Sequence, residues 1–232
     1  MRYLFSALLF LMVKILSRIF YRFETTWLSG DEKDLKNVKL LLFLNHTSLF
    51  EPLFLGVIPY NYIWRLAKFS VVPGADITLN RPIVGRAYKI LFPQIATITR
   101  KRDDTWFDFL HSIHPESIIV MAPEGRMMRR SGLDKDGNPM KVRGGVSDIL
   151  EKLDGGKILI AYSGGLHHVQ APGEKTIHIF RKLRVNLEIL DINLYKAEMK
   201  KSEGKDFKHK VMNDLNNRKD KHIPQHKSSK SN

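Results

Sequence analysis

The chain has no cysteine. That absence excludes a disulfide framework, thiolate zinc sites, cysteine-ligated iron–sulfur clusters and a cysteine nucleophile. It also lacks an unbroken apolar run of the roughly 20 residues that a membrane-spanning helix needs. Tyr3 to Val13 is apolar, but Lys14, Arg18 and Arg22 interrupt the residues beyond it. No small-residue cleavage site comes after it, so the segment fits a removed signal peptide poorly. Neither an internal repeat nor a helix-turn-helix, zinc-finger or aromatic RNA-binding signature is present, and the aromatics sit in apolar runs rather than between basic residues. Acidic residues are scarce: 24 Asp and Glu face 38 Lys and Arg, a formal net charge of +14. Such a charge attracts nucleic acid, an acidic membrane face or a phosphorylated substrate, and does not by itself choose among them.

What is present is enough for one core. At 232 residues and 43% hydrophobic content, the length predicts a single domain with short extensions. Lys14, Arg18 and Arg22 are four apart and share one face of a helix. Residues 1–30 therefore read as an amphipathic segment lying in a membrane interface, its basic face on anionic headgroups; the alternative is an ordinary helix packed on the domain. Residues 31–195 form the main domain. Residues 196–232 read as a basic C-terminal helix and tail, disordered by its end, HKSSKSN.

Between the ends, Val38–Leu44, Ser117–Ala122 and Lys157–Tyr162 are apolar runs of strand length, and Val185–Ile192 alternates like a late strand. Asp103–Ile113 and Gly145–Leu153 read as helices, the second stopped by Gly155-Gly156. Strands apolar on both sides belong in a sheet covered on both faces. The expected fold is a single α/β domain with a mixed, mostly parallel sheet flanked by helices.

Ligands in such sheets gather beyond the carboxyl ends of the strands, and the chemically informative residues fall there. His46 directly follows the first strand, with Glu51 five positions on. A turn between them brings the carboxylate to one imidazole nitrogen and leaves the other free to accept a proton from a hydroxyl. Ser48 to Glu51 is equally a capping box, in which Glu51 only satisfies a backbone N–H. The segment IATITRKR ends a buried-looking strand in Arg100, Lys101 and Arg102, a cluster suited to phosphate or to a solvated edge. After SIIVMA comes APEGRMMRR, a turn containing Glu124, Gly125 and Arg126. His111 and His114 share a helix face without an evident third ligand, and His167 and His168 point to opposite sides of a strand, so no metal site is expected.

The order of these elements resembles the lysophosphatidic acid acyltransferases, the glycerolipid acyltransferase family marked by an asparagine-histidine motif with an acid five residues after the histidine. Here Asn45, His46 and Glu51 match the first block, Pro82, Gly85 and Arg100 the second, and Pro123 to Arg126 the third. Lys141 to Gly145 and Ile158 to Tyr162 match a later block, and the likeness runs from Val38 to Ile192. The sequence departs in having Glu51 where aspartate is usual, Arg126 directly after the glycine, and no proline-valine pattern near Tyr162.

The resemblance implies an O-acyltransferase with His46 as general base and Glu51 orienting it, while Arg100, Glu124, Gly125 and Arg126 bind the acceptor. The acceptor would be a lysophospholipid, 1-acyl-glycerol-3-phosphate above all, and the donor an acyl thioester of coenzyme A or of acyl-carrier protein. No other cofactor or metal is implied, nor nucleic acid. The partner surface is an anionic membrane, met from its cytoplasmic face by a monotopic protein. Two other readings stand beside this one: a transacylase that needs no thioester, and a non-catalytic basic protein binding membrane or nucleic acid.

Overall fold

Leu40 to Leu44 alternate between two buried clusters, with Leu40, Leu42 and Leu44 on one side of the strand and Leu41 on the other. Burying each leucine stabilises the fold by about 1.5–3 kcal/mol, so a strand without a polar side belongs in the sheet interior. The computed structural model, which describes residues 2–92, 94–99, 101–201 and 206–224, places it there. In chain order the elements are α1 (Arg2–Phe20), β1 (Tyr21–Ser29), β2 (Val38–Leu44), α2 (Tyr60–Phe69), β3 (Ser70–Ala75), α3 (Asp76–Leu79) and α4 (Pro82–Leu91). There follow β4 (Gln94–Ile98), α5 (Asp104–His111), β5 (Ile118–Met121), α6 (Gly145–Lys152), β6 (Lys157–Ser163), β7 (Arg181–Asp191), α7 (Ile192–Lys201) and α8 (Phe207–His222). Short 3-10 segments, Glu32–Asn37 and Glu51–Val57, flank β2.

The sheet order is β1-β7-β6-β2-β5-β3-β4. Every pairing is parallel except β6 with β7, so the expected mixed, mostly parallel α/β domain is what forms. α1, α2 and the Glu51–Val57 segment cover one face, and α5 to α8 cover the other. Because β2, β5 and β6 run in the same direction, their carboxyl ends share one edge. Gly85 lets α4 close against α3: a Cβ there would lie 1.9 Å from the Leu79 carbonyl oxygen.

Three sequence expectations change. β1 takes the half-exposed edge next to β7, and Glu24 pairs across it with Lys182 and Arg184. Arg22 thus lies on a strand, not on a helix face with Lys14 and Arg18. β4, which reads as buried, is the opposite edge and only partly covered. And α8, the helix expected at the C-terminal end, is no mere extension of the domain: Val211 and Leu215 are fully buried in the core beneath the sheet. The expected disordered end, HKSSKSN, lies outside the described residues.

The largest correction is the orientation of α1. Lys14 and Arg18 turn toward the domain. Lys14 is buried and donates to the carbonyls of Gly56 at 3.2 Å and Ile58 at 2.7 Å, and Arg18 donates to Gly56 at 2.8 Å. The cause is the end of the 3-10 segment, whose last carbonyls have no partner within their own element and must be satisfied once α1 covers them. The outer face is instead apolar: Leu4, Phe5, Leu8, Met12, Ile15 and Ile19 are all exposed.

Replacing Lys14 by Met keeps the aliphatic stem and removes the donor. We expect a loss of about 1–3 kcal/mol in denaturant unfolding, without weaker binding to anionic vesicles; a variant of unchanged stability with weakened vesicle binding would mean that Lys14 faces the membrane.

Candidate active site

His46 stands on a turn that is clamped from every side. Asn45 adopts φ 65°, the left-handed region that Asn tolerates better than most residues. Its amide donates to the carbonyl of Ser163, the last residue of β6, at 2.8 Å. The Thr47 hydroxyl accepts the Leu166 N–H at 2.7 Å, and the His46 carbonyl accepts that of Met128 at 2.8 Å. From the end of β5, the buried Glu124 carboxylate accepts the His46 N–H at 2.8 Å and the Asn45 N–H at 3.3 Å. The turn is therefore tied to both strands that flank β2.

The Glu51 carboxylate lies 2.8 Å from His46 Nδ1. An ionised carboxylate only accepts, so Nδ1 carries the proton and Nε2 is left free to accept one. Glu51 is also 3.4 Å from the Ser48 N–H, a longer contact, so it does both of the things its spacing allows. Burial pulls the His46 pKa down, but the charge and hydrogen bond of Glu51, aided by the charge of Glu124, outweigh it and leave it raised.

His46 and Glu51 line a cavity of 410 Å³. Its depth is apolar, running between the sheet face (Phe43, Val120, Ala161) and the covering layer (Phe10, Phe54, Leu66). Its other end is basic: Arg81, Lys101, Arg102, Arg126, Arg143 and Lys208 all line it. Arg102 pairs with Asp148 at 3.1 Å, whereas Arg81, Lys101, Arg143 and Lys208 form no ion pair among the described residues.

Of the residues expected from the sequence, His46, Glu51, Gly125 and Arg126 meet at this cavity. Gly125, at φ 69°, turns the chain so that Arg126 follows the cavity wall. The Arg126 guanidinium is already held by Asp134 at 2.6 Å and by Asp136. Glu124 does not line the cavity and grips the backbone of the His46 turn instead. Arg100 lies outside the described residues, between Thr99 and Lys101, which both line the cavity. His167 and His168 each bond a backbone carbonyl, of Met128 and Lys182. Sequence reasoning missed Arg143 and Lys208. Arg143 sits inside the basic-glycine turn Lys141 to Gly145, where the basic residue before paired glycines was the available signal; Lys208 carried none.

No family model matches the chain, and no curated protein matches it either. Among solved structures it is similar to the 1-acyl-sn-glycerophosphate (LPA) acyltransferase PlsC from Thermotoga maritima, with a TM-score of 0.55 and 15% identity over 89% of this chain and 76% of that one. At that identity the likeness is one of fold.

The raised imidazole pKa fixes a direction. We expect the His46 ring, followed by NMR, to titrate above the ordinary value of 6.5, and Glu51→Gln to lower that midpoint. Stabilisation from the pair is complete below the unfolded pKa and is lost as pH rises through the folded one. A midpoint that Glu51→Gln leaves in place, with only the melting temperature changed, would reduce Glu51 to a cap.

Proposed function

We propose that the chain is a membrane-surface O-acyltransferase, which moves a fatty acyl group from an acyl thioester to the hydroxyl of a phosphate-bearing lysolipid such as 1-acyl-glycerol-3-phosphate. The observation that carries this reading is the His46–Glu51 pair, opening into a cavity that is apolar in its depth and cationic at its other end. A chain of methylenes suits the first, and a phosphate monoester the second. The likeness of fold to an LPA acyltransferase agrees with it.

In this mechanism His46 Nε2 removes the proton from the acceptor hydroxyl as its oxygen attacks the thioester carbonyl. The tetrahedral adduct expels the thiolate, and the imidazolium returns the proton to that sulfur. Glu51 stabilises the imidazolium in between, and no covalent enzyme intermediate is needed. Arg143, Lys101 and Lys208 meet the phosphate, joined by Arg100; Arg126 joins them once phosphate competes with Asp134 and Asp136. The thioester is that of coenzyme A or of acyl-carrier protein.

The membrane surface follows from the outward side of α1. Leu8 is 63% exposed and Ile19 60%, Ile83 and Ile90 of α4 are exposed close by, and Phe180 packs on Phe20 with ring centroids 6.0 Å apart. α1 has the length and composition to cross a bilayer. However, its inner side is committed to the domain through Lys14, and β1 enters the sheet directly after it. A helix so held lies along a leaflet with its apolar side down.

Assays of the purified protein with 1-acyl-glycerol-3-phosphate and, in turn, acyl-CoA, acyl-carrier protein thioester or phospholipid as donor test this reading. Turnover with a thioester should fall about 10²–10⁴-fold in His46→Ala and leave a weak remnant in Glu51→Gln. Arg143→Ala should raise KM for the phosphorylated acceptor roughly tenfold, the worth of one charge-assisted hydrogen bond, and leave a neutral monoacylglycerol unaffected. Near-normal turnover by folded His46→Ala would overturn the mechanism, and turnover with phospholipid alone would make the protein a transacylase. Separately, Leu8→Asp with Ile19→Asp should lower vesicle binding at least tenfold while the fold is retained; unchanged binding would place the membrane contact elsewhere.

A further inference from the structure

Glu124 is a buried carboxylate with a structural task, and a buried charge needs a counter-charge. Among the described residues the cation paired with it is Lys219, whose Nζ lies 3.2 Å from Glu124 Oε1. Lys219 is itself buried at 7% exposure and also donates to the Met140 carbonyl at 2.6 Å. It comes from α8, on the face of the sheet opposite the apolar cavity, and neither it nor Glu124 lines that cavity. α8 is held independently: Arg218 donates to Glu188 and Asp214 at 2.7 Å each, and Asn216 accepts the Val142 N–H at 3.0 Å.

We propose that Lys219 is a positioning residue for acyl transfer: its ammonium holds and balances the Glu124 carboxylate, and Glu124 in turn holds the two N–H groups of the turn that carries His46. The inference rests on His46 being the base. The charged groups set against Glu124 are His46 through its backbone and its field, Lys219 through its ammonium, and Arg143, whose Nε donates to the Glu124 carbonyl at 3.1 Å. Without Lys219, the Glu124 carboxylate loses its counter-charge and one of its anchors. It then holds the turn less firmly, and its unbalanced charge raises the His46 pKa further. The first effect lowers the rate, and the second moves the acid limb of the rate profile upward.

The test is a pH–rate series on the full chain with Lys219→Met, Lys219→Gln and Lys219→Arg. Lys219→Gln can still donate to the Met140 carbonyl but supplies no charge. We expect Met and Gln to lower kcat at neutral pH at least tenfold, to leave both KM values within about twofold, and to shift the acid limb to higher pH; Arg should recover most of the rate. In a Glu124→Gln background, Lys219→Met should have no further effect on kcat or on the limb. Additive losses in that cycle, or a wild-type profile in folded Lys219→Gln, would overturn the proposal. If Lys219→Met and Lys219→Gln fail to fold, the double variant with Glu124→Gln decides: folding supports a charge-balancing role, and failure makes Lys219 a packing residue. Should His46→Ala remain active, it is the mechanism that falls; should His46→Ala be dead while the lysine variants behave as wild type, only this inference does.

Discussion

The turn that carries His46 is held by hydrogen bonds to the segments that end the neighbouring strands, and the anchor is one buried carboxylate. Glu124 takes two consecutive N–H groups that belong to neither strand nor helix, in a place where unpaired donors would each cost roughly 1–3 kcal/mol. Around that contact the rest is arranged. Asn45 turns left-handed so that both N–H groups point the same way, Ser163 and Leu166 hold the far side, and the Glu51–Val57 segment brings a second carboxylate to the ring. Two acids thus serve one histidine from opposite directions, one through its backbone and one through its ring.

The two ends of the chain are built into this arrangement. α1 roofs the cavity through Phe10, and its polar residues tie it to the segment that begins with Glu51. α8 lies under the other face and reaches the same edge with a lysine. Mixed topology makes this possible: β7 reverses against β6, so the chain leaves the sheet at the edge far from the site and α8 returns to it.

Much of this was legible from residue order. β2 coincides with its apolar run residue for residue, and β5, β6, α5 and α6 lie where apolar runs and capping residues put them. The His46–Glu51 contact follows from spacing. What was not legible has a common cause, since periodicity identifies faces but not which face turns inward. Lys14 and Arg18 share a side of α1, yet only the unsatisfied carbonyls of Gly56 and Ile58, distant in sequence, decide that this side is the inner one. β1 was hidden because an edge strand is half exposed and carries charges on its open side, Glu24 facing Lys182 and Arg184 across the pair. The direction of Glu124 was equally invisible, because a carboxylate after a strand can face ligand or backbone with the same neighbours in sequence.

The two-sided character of α1 has a practical corollary. Its outer side is a row of exposed apolar residues and its inner side is a wall of the cavity, so the helix cannot be cut away to obtain a soluble form without unroofing the space beside His46. Solubility and selectivity are separable only by residue, not by segment: polar substitution along Leu4, Leu8, Met12, Ile15 and Ile19 alters one, and substitution at Phe10 the other.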